Sequence, residues 1–202
     1  MALYLIRHGE TAENAGRVVQ LPHVSLSQRG VGQARRLAAR LAAEGIVRIV
    51  SSDLRRAAMT AEALAEATGA RLEHDSLLQE RNFGALRGTP YDAIGFDPFA
   101  ADYEPPEGES VPVFHARVER AWARVRSRAA ETEGHLAVVT HGLVCEALVA
   151  RHLELPEGLA HGSEPRRFGN TALTIAEAGP PWRVQLLGCT AHLEEEVAGA
   201  AV

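Results

Sequence analysis

The chain has 202 residues, 46% hydrophobic and 23% charged, with a formal net charge of -5; this reads as a single domain over 1–202, and the acidic balance disfavours nucleic acid as a partner. No apolar stretch reaches the roughly 18 residues that cross a bilayer, no secretory signal is visible at the N-terminus, and Cys145 and Cys189 lack metal-site spacing, which suits reduced thiols in a cytoplasmic protein. All 21 cations are arginines, which removes lysine Schiff-base chemistry and the Gly-Lys-Ser/Thr phosphate loop.

In chain order, Leu3-Tyr4-Leu5-Ile6 is an apolar run that predicts a buried strand. A polar loop follows to about Ser27. Gly30 to Glu44 carries an apolar stripe at Val31, Ala34, Leu37, Ala38 and Leu41, the spacing of a helix, with Gly45 as its terminator. Ile46 to Val50 predicts a second buried strand. Ser51-Ser52-Asp53 offers N-caps for a helix to about Thr68, stopped by Gly69. Arg71 to Asp75 suits a short strand. The Gly-, Pro- and Asp-rich stretch Glu80 to Pro106 has no clean period and reads as a loop or lid, so that a lid and substrate region is expected at about 80–110.

Ser110 is placed to cap a helix whose stripe is Phe114, Val118, Trp122, Val125 and Ala129. Leu136 to Thr140 predicts another buried strand, and Leu143 to His152 a helix. After an irregular stretch, Thr171 to Ala176 and Trp182 to Leu187 predict two strands joined by a Gly-Pro-Pro turn. Glu194-Glu195-Glu196 reads as a frayed acidic tail. Alternating strands and helices imply a three-layer α/β/α architecture around a mostly parallel sheet.

Two of the buried strands end in histidine. Arg7-His8-Gly9-Glu10-Thr11 follows the first, and His141-Gly142 follows the strand at 136–140. Open α/β sheets bind ligands at the carboxyl ends of their strands. If these strands are neighbours, two imidazoles and an arginine converge on one pocket suited to a phosphate. His8 is the candidate nucleophile, able to attack phosphorus and form a phosphohistidine. Arg7 and Arg55 are the candidate phosphate clamps, Arg55 lying just inside a helix that follows a strand, while Arg56 is assigned to the solvated surface. His141, as a cation, would hold a transferring oxygen, and Glu80 is the candidate acid for the leaving alcohol. No His/Asp/Glu spacing matches a metal-binding helix pair, and arginines beside the histidines would repel a cation. Gly30-Val31-Gly32 fails as a dinucleotide loop, because no strand leads into it and Arg35 stands at the third glycine position.

Together these segments resemble the histidine phosphatase superfamily, the clan of cofactor-dependent phosphoglycerate mutases and related phosphatases. Arg7 to Thr11 matches its signature, with Asn14 and Leu26-Ser27-Gln28-Arg29-Gly30 behind it. Ser52 to Ala57 resembles the second motif, Leu78 to Gly88 the acid-bearing one, Gly108-Glu109-Ser110 a pocket segment of small phosphatases, and Thr140-His141-Gly142 the last. The resemblance implies a phosphoglycerate mutase-like fold and a phosphorylated His8. Arg7, Arg55 and His141 would complete the phosphate pocket, with Glu80 as general acid. Thr11, Asn14 and Gln20 would contact phosphate or substrate, and Glu109, Ser110 and Asn170 would line the pocket. No metal or other cofactor is expected, and the partner is a small-molecule phosphate ester; a homo-oligomer is left open.

Two departures bear on activity. Leu21-Pro22 replaces the usual Gly near position 20, and Leu143 follows His141-Gly142 where mutases typically carry a polar residue. The first implies a different local loop; the second, with a shorter chain than typical mutases, favours a metal-independent phosphomonoester phosphatase over the alternative, a 2,3-bisphosphoglycerate-dependent phosphoglycerate mutase. A phosphate-binding module without turnover is the third reading, disfavoured because binding alone needs no acid. The natural substrate depends on the walls at 84–110 and 153–170; Phe83, Phe96, Phe99 and Tyr103 are there to stack on a ring or to pack the lid, and packing is the expected role.

Overall fold

Strand β1 (Ala2–Arg7) opens the computed structural model, which describes residues 1–157 and 168–194. It is followed by a single-turn helix α1 (Ala12–Ala15), α2 (Gln28–Leu41), β2 (Ile46–Ser51), α3 (Arg55–Thr68) and β3 (Arg71–His74). Three short three-ten turns occupy 76–93 before α4 (Val111–Ala130), β4 (His135–Thr140) and α5 (Gly142–His152). Strands β5 (Leu173–Glu177) and β6 (Val184–Cys189) complete the sheet. The tail beyond Glu194, and residues 158–167 of the wall expected at 153–170, lie outside the described residues.

The six strands form one sheet in the order β3-β2-β4-β1-β5-β6. β3, β2, β4 and β1 run parallel, while β5 is antiparallel to both of its neighbours. The parallel core needs crossover helices, and these cover both faces. Side chains alternate across the sheet. Leu3, Leu5, Leu136 and Val138 pack toward α4 and α5, against Phe114, Val118, Trp122, Val144 and Leu148. Tyr4, Ile6, Ala137 and Val139 pack toward α2 and α3, against Leu37, Leu41, Ala61 and Leu64. Burial on both faces is the reason β1 and β4 read as unbroken apolar runs rather than alternating ones. The expected three-layer α/β/α class stands, and the antiparallel β5 is its one departure from a parallel sheet.

Helix boundaries follow their caps. Ser27 accepts from the Gly30 amide, so α2 begins at Gln28, ahead of the expected Gly30. Ser110 accepts from Val113 and caps α4 as expected. In α3 no side chain caps the first turn; Ser52 Oγ instead accepts from Leu54, and the helix starts at Arg55. Gly69 closes α3 at φ +70, a conformation glycine adopts without strain. No helix among the described residues is long and apolar enough to cross a membrane.

Candidate active site

β1 and β4 are parallel neighbours, with Arg7 opposite Thr140. His8 and His141 therefore leave the sheet side by side, and the His8 amide donates to the Thr140 carbonyl at 2.9 Å. Their ring centroids are 5.1 Å apart, and both side chains are fully buried. His8 Nδ1 lies 2.7 Å from the Gly9 carbonyl. A carbonyl only accepts, so Nδ1 carries the proton and the lone pair is left on Nε2. Burial holds His8 well below the usual histidine pKa, and the charges of Arg56 and Arg7 act in the same direction, so the ring stays neutral.

The loop carrying His8 is clamped from several sides. The His8 carbonyl accepts from the Thr171 amide at 3.2 Å and from Asn170 Nδ2 at 3.3 Å. The Gly9 amide donates to Thr60 Oγ1 and the Glu10 amide to Gln33 Oε1. The start of α2 presses so closely on this loop that a Cβ on Gly30 would sit 2.0 Å from the Glu10 carbonyl oxygen, which only glycine permits.

His141 Nε2 lies 2.8 Å from Ser52 Oγ, and its Nδ1 is buried with no hydrogen-bond partner among the described residues. Burial and the nearby Arg56, His8 and Arg7 push its pKa well below the ordinary value, so in the ligand-free protein His141 is neutral. The expected cationic His141 is corrected to that extent.

Two guanidiniums face the same place, but one is not the expected one. Arg55 lies on the outer face of α3, half exposed and paired with Glu62 at 2.9 Å. Arg56 is buried, lines the cavity beside Arg7, and donates through Nη1 to the Leu21 carbonyl. The reason is helical phase. Arg56, Thr60 and Leu64 share the buried stripe of α3, while Arg55 and Glu62 share the solvent side. Arg55 thus points away from the cavity, and Arg56 stands where the sequence placed Arg55. Desolvation lowers the Arg56 pKa to about 10, which leaves it charged at neutral pH. Arg7 Nη1 donates to the Phe168 carbonyl, and the Nε atoms of both Arg7 and Arg56 are buried without a partner among the described residues.

Arg7, Arg56 and Glu80 line a cavity of about 610 Å³. Glu80 accepts from the Arg81 amide at 3.0 Å and from the Leu143 amide at 3.2 Å. Desolvation nevertheless raises its pKa, outweighing those bonds and the charges of Arg56 and Arg7. A Cβ on Gly142 would lie 3.7 Å from Arg7 Nε and 3.8 Å from Glu80 Oε2, ordinary contacts, so the glycine marks where arginine and acid meet rather than a tight fit.

Of the other expected contacts, Asn14 and Gln20 line the cavity. Thr11 is buried behind them, capping α1 and donating to Gln20 Oε1 at 2.9 Å. Asn170 donates to Asn14 Oδ1 and to the His8 carbonyl, so it steadies the loop from behind. Glu109 and Ser110 do not line the cavity: Glu109 is bound by Arg117, and Ser110 is spent as the α4 cap. Sequence reasoning also missed Ser52, Arg17, Arg87 and Glu146; the last three line the cavity. Phe83 is buried edge-on against Phe99, and Tyr103 packs on Phe96, but Phe96 and Phe99 remain 50% and 41% exposed and form part of the cavity wall.

A family model described as the histidine phosphatase superfamily (branch 1) matches residues 3–189. The chain belongs to that superfamily. Among histidine phosphatase relatives, a protein named as a probable phosphoglycerate mutase from Yersinia pestis is 32% identical over 212 residues, covering 96% of this chain and 95% of its own. A mycobacterial glucosyl-3-phosphoglycerate phosphatase, solved with VO3, superposes with a TM-score of 0.76 at 31% identity, covering 92% of this chain and 97% of the other. A phosphoglycerate mutase from Bacillus anthracis has a TM-score of 0.80 at 24% identity over 96% of each chain, which shows the shared fold.

Proposed function

We propose that this histidine phosphatase is a phosphomonoester phosphatase that works without a metal, through a phosphohistidine on His8. The observation that carries the reading is the His8 Nδ1 bond to the Gly9 carbonyl, which leaves a nucleophilic lone pair on Nε2 beside two guanidiniums with open Nε donors. In the first step Nε2 forms a bond to phosphorus and the ester P–O bond breaks, with Glu80 giving its proton to the departing alkoxide. In the second, water attacks the phosphoryl group, Glu80 takes the proton, and the P–N bond breaks to release phosphate. The raised pKa of Glu80 suits it to begin as an acid.

Arg7 and Arg56 hold the phosphoryl oxygens with bidentate geometry. His141 completes the cradle. Ser52 Oγ, which accepts from the Leu54 amide, is hydrogen-bonded to His141 Nε2 and fixes the orientation of the ring. His8 is only 1% exposed in the ligand-free protein. Phosphate entry therefore requires the arginine side chains to swing onto the incoming oxygens, where their open donors are satisfied.

A second reading, phosphoglycerate mutase, is favoured by the Yersinia relative. One assay separates the two: phosphate release from p-nitrophenyl phosphate and a panel of metabolite esters with EDTA present, for wild type and His8→Ala. EDTA-resistant release that disappears in His8→Ala supports the phosphatase. Interconversion of 3- and 2-phosphoglycerate outpacing phosphate release makes it a mutase, and release that survives in His8→Ala removes the phosphohistidine.

A further inference from the structure

The turn that leads into β5 grips the nucleophile's loop from behind. The Thr171 amide and Asn170 Nδ2 both donate to the His8 carbonyl, at 3.2 and 3.3 Å. The His8 amide is held by Thr140 and Nδ1 by Gly9, so the aim of Nε2 is set by what holds these three groups. Thr171 takes φ +53, a left-handed conformation that is an outlier for a β-branched residue. Such a conformation persists only when its surroundings over-determine it. Thr171 is fully buried, and its hydroxyl is tied on two sides. Oγ1 donates to the Asn170 carbonyl at 2.7 Å and lies 2.9 Å from His192 Nε2.

His192 comes from a short three-ten turn, Ala191–Leu193, that follows β6. Its Nδ1 lies 3.4 Å from Arg40 Nη1, in the last turn of α2, and the same Nη1 reaches Cys189 Sγ at 3.2 Å. A guanidinium only donates, so Nδ1 accepts and Nε2 carries the ring proton. The hydroxyl proton of Thr171 is given to Asn170, so Oγ1 accepts from that Nε2–H. Both sides of the ring agree on one neutral tautomer. Burial, with Arg40 and Arg36 nearby, lowers the His192 pKa to about 4, which keeps this bridge intact at neutral pH. Helix α2 thus holds the loop directly at its start, where Gly30 and Gln33 meet Glu10, and indirectly at its end, through Arg40, His192 and Thr171.

We infer that His192 is a positioning residue for the nucleophile. By donating to Thr171 Oγ1 it locks the left-handed turn that grips the His8 carbonyl, and so keeps Nε2 aligned for in-line attack on phosphorus. His192 does not line the cavity and acts only through Thr171. This rests on the reading of His8 as the nucleophile.

The test is run in Glu80→Gln, where p-nitrophenyl phosphate should load His8 faster than water unloads it, so that stopped-flow release of p-nitrophenol shows a burst. The burst amplitude counts competent sites, and its rate constant reports attack by His8. Partial unfolding lowers the amplitude and leaves the rate constant alone. Adding His192→Phe, which keeps a ring without a donor, should slow the burst by on the order of tenfold, as for a small misplacement of a reacting atom. Thr171→Val keeps the β-branched shape, loses the hydroxyl and should slow the burst by a similar factor. The two together should cost no more than either alone, because they break one chain of hydrogen bonds. His192→Gln, with a donor amide in reach of Oγ1, should restore most of the rate. An unchanged burst rate in either His192→Phe or Thr171→Val, at whatever amplitude, would mean that the turn supports the fold alone and would overturn the inference. A His192→Gln burst as slow as that of His192→Phe would overturn it too. Each of those results leaves the phosphatase reading intact. No burst and no phosphoenzyme in Glu80→Gln itself would overturn the phosphohistidine, and this inference with it.

Discussion

Glu109 and Arg117 meet in a bidentate pair, with Nε and Nη2 each 2.7 Å from a carboxylate oxygen. The remaining N–H groups of Arg117 reach the carbonyls of Leu77, Gln79 and Glu80. Every donor of the guanidinium is used, three of them on the backbone that presents Glu80. The Asn82 amide donates to the other side of the same carboxylate at 2.9 Å. The pair is a bracket that fixes the candidate acid from behind, through α4.

Arg117→Gln should therefore lower stability by about 3 kcal/mol, as expected when one partner of a largely buried ion pair is removed. The two side chains are only 11% and 15% exposed. Activity should change selectively: hydrolysis of an alkyl phosphate, which needs a proton donor, should fall by on the order of 10²-fold. The rate with p-nitrophenyl phosphate, a good leaving group, should fall less. Denaturant titration and the ratio of the two kcat values check both parts. A uniform loss with the two substrates would mean that Arg117 supports the fold without placing Glu80.

Adjacent arginines should behave oppositely. Arg56→Ala removes a buried donor from the phosphoryl site and should reduce kcat/KM by on the order of 10²–10³-fold. Arg55→Ala breaks an exposed pair with Glu62 and should change stability by less than about 1 kcal/mol and activity hardly at all. Steady-state kinetics on the two variants decide between them.

That contrast shows what was readable in the chain and what was not. The apolar runs at Leu3–Ile6 and Leu136–Val139 read as buried strands from their composition, while their side-by-side parallel pairing, conditional in the sequence, is supplied by the sheet. The α4 stripe matched its buried face because its period and its Ser110 cap agreed. Choosing between Arg55 and Arg56 required the phase of α3, and the signal was present: Arg56 is four residues before Thr60 and eight before Leu64, on the buried stripe. Glu109 is expected in the pocket only from the resemblance of Gly108-Glu109-Ser110 to a pocket segment of small phosphatases; here its partner is Arg117, eight residues away on α4, on a face defined only by tertiary packing. Arg17 and Arg87 were missed because their approach depends on two irregular segments pairing across 70 residues of chain, which no periodicity encodes.

The pH dependence of turnover has a definite sign. Glu80 acts as an acid only while protonated, and its pKa is raised above the usual carboxylate value. Turnover of alkyl phosphates should therefore decline as pH rises through that raised pKa. In Glu80→Gln this limb should vanish from the kcat profile and the overall rate should drop by on the order of 10²–10⁴-fold. A descending limb unchanged in Glu80→Gln would assign the proton to another group.

Stability should respond to acid in the opposite sense. His8 and His141 are held well below 6.5 in the folded protein, chiefly by burial, and His192 to about 4. Unfolded imidazoles bind protons near pH 6.5, so below that value the unfolded state holds more protons than the folded one. The stability these groups contribute is complete above pH 6.5 and is lost as pH falls toward their depressed values, at up to about 1.4 kcal/mol per pH unit for each ring. Inorganic phosphate should flatten the loss, because a bound anion favours the protonated ring. Thermal unfolding between pH 7 and pH 5, with and without phosphate, checks it.

The central claim is a phosphoryl group carried by His8, and it is tested most directly by trapping. Glu80→Gln incubated with p-nitrophenyl phosphate forms the phosphoenzyme readily but hydrolyses it slowly, since water then lacks its base. Quenching under alkaline conditions and mapping peptides by mass spectrometry should find the added phosphoryl mass on the peptide containing His8. The label should be acid-labile and absent from His8→Ala. Turnover without any trapped intermediate, or a phosphoryl group on a different residue, would contradict the account.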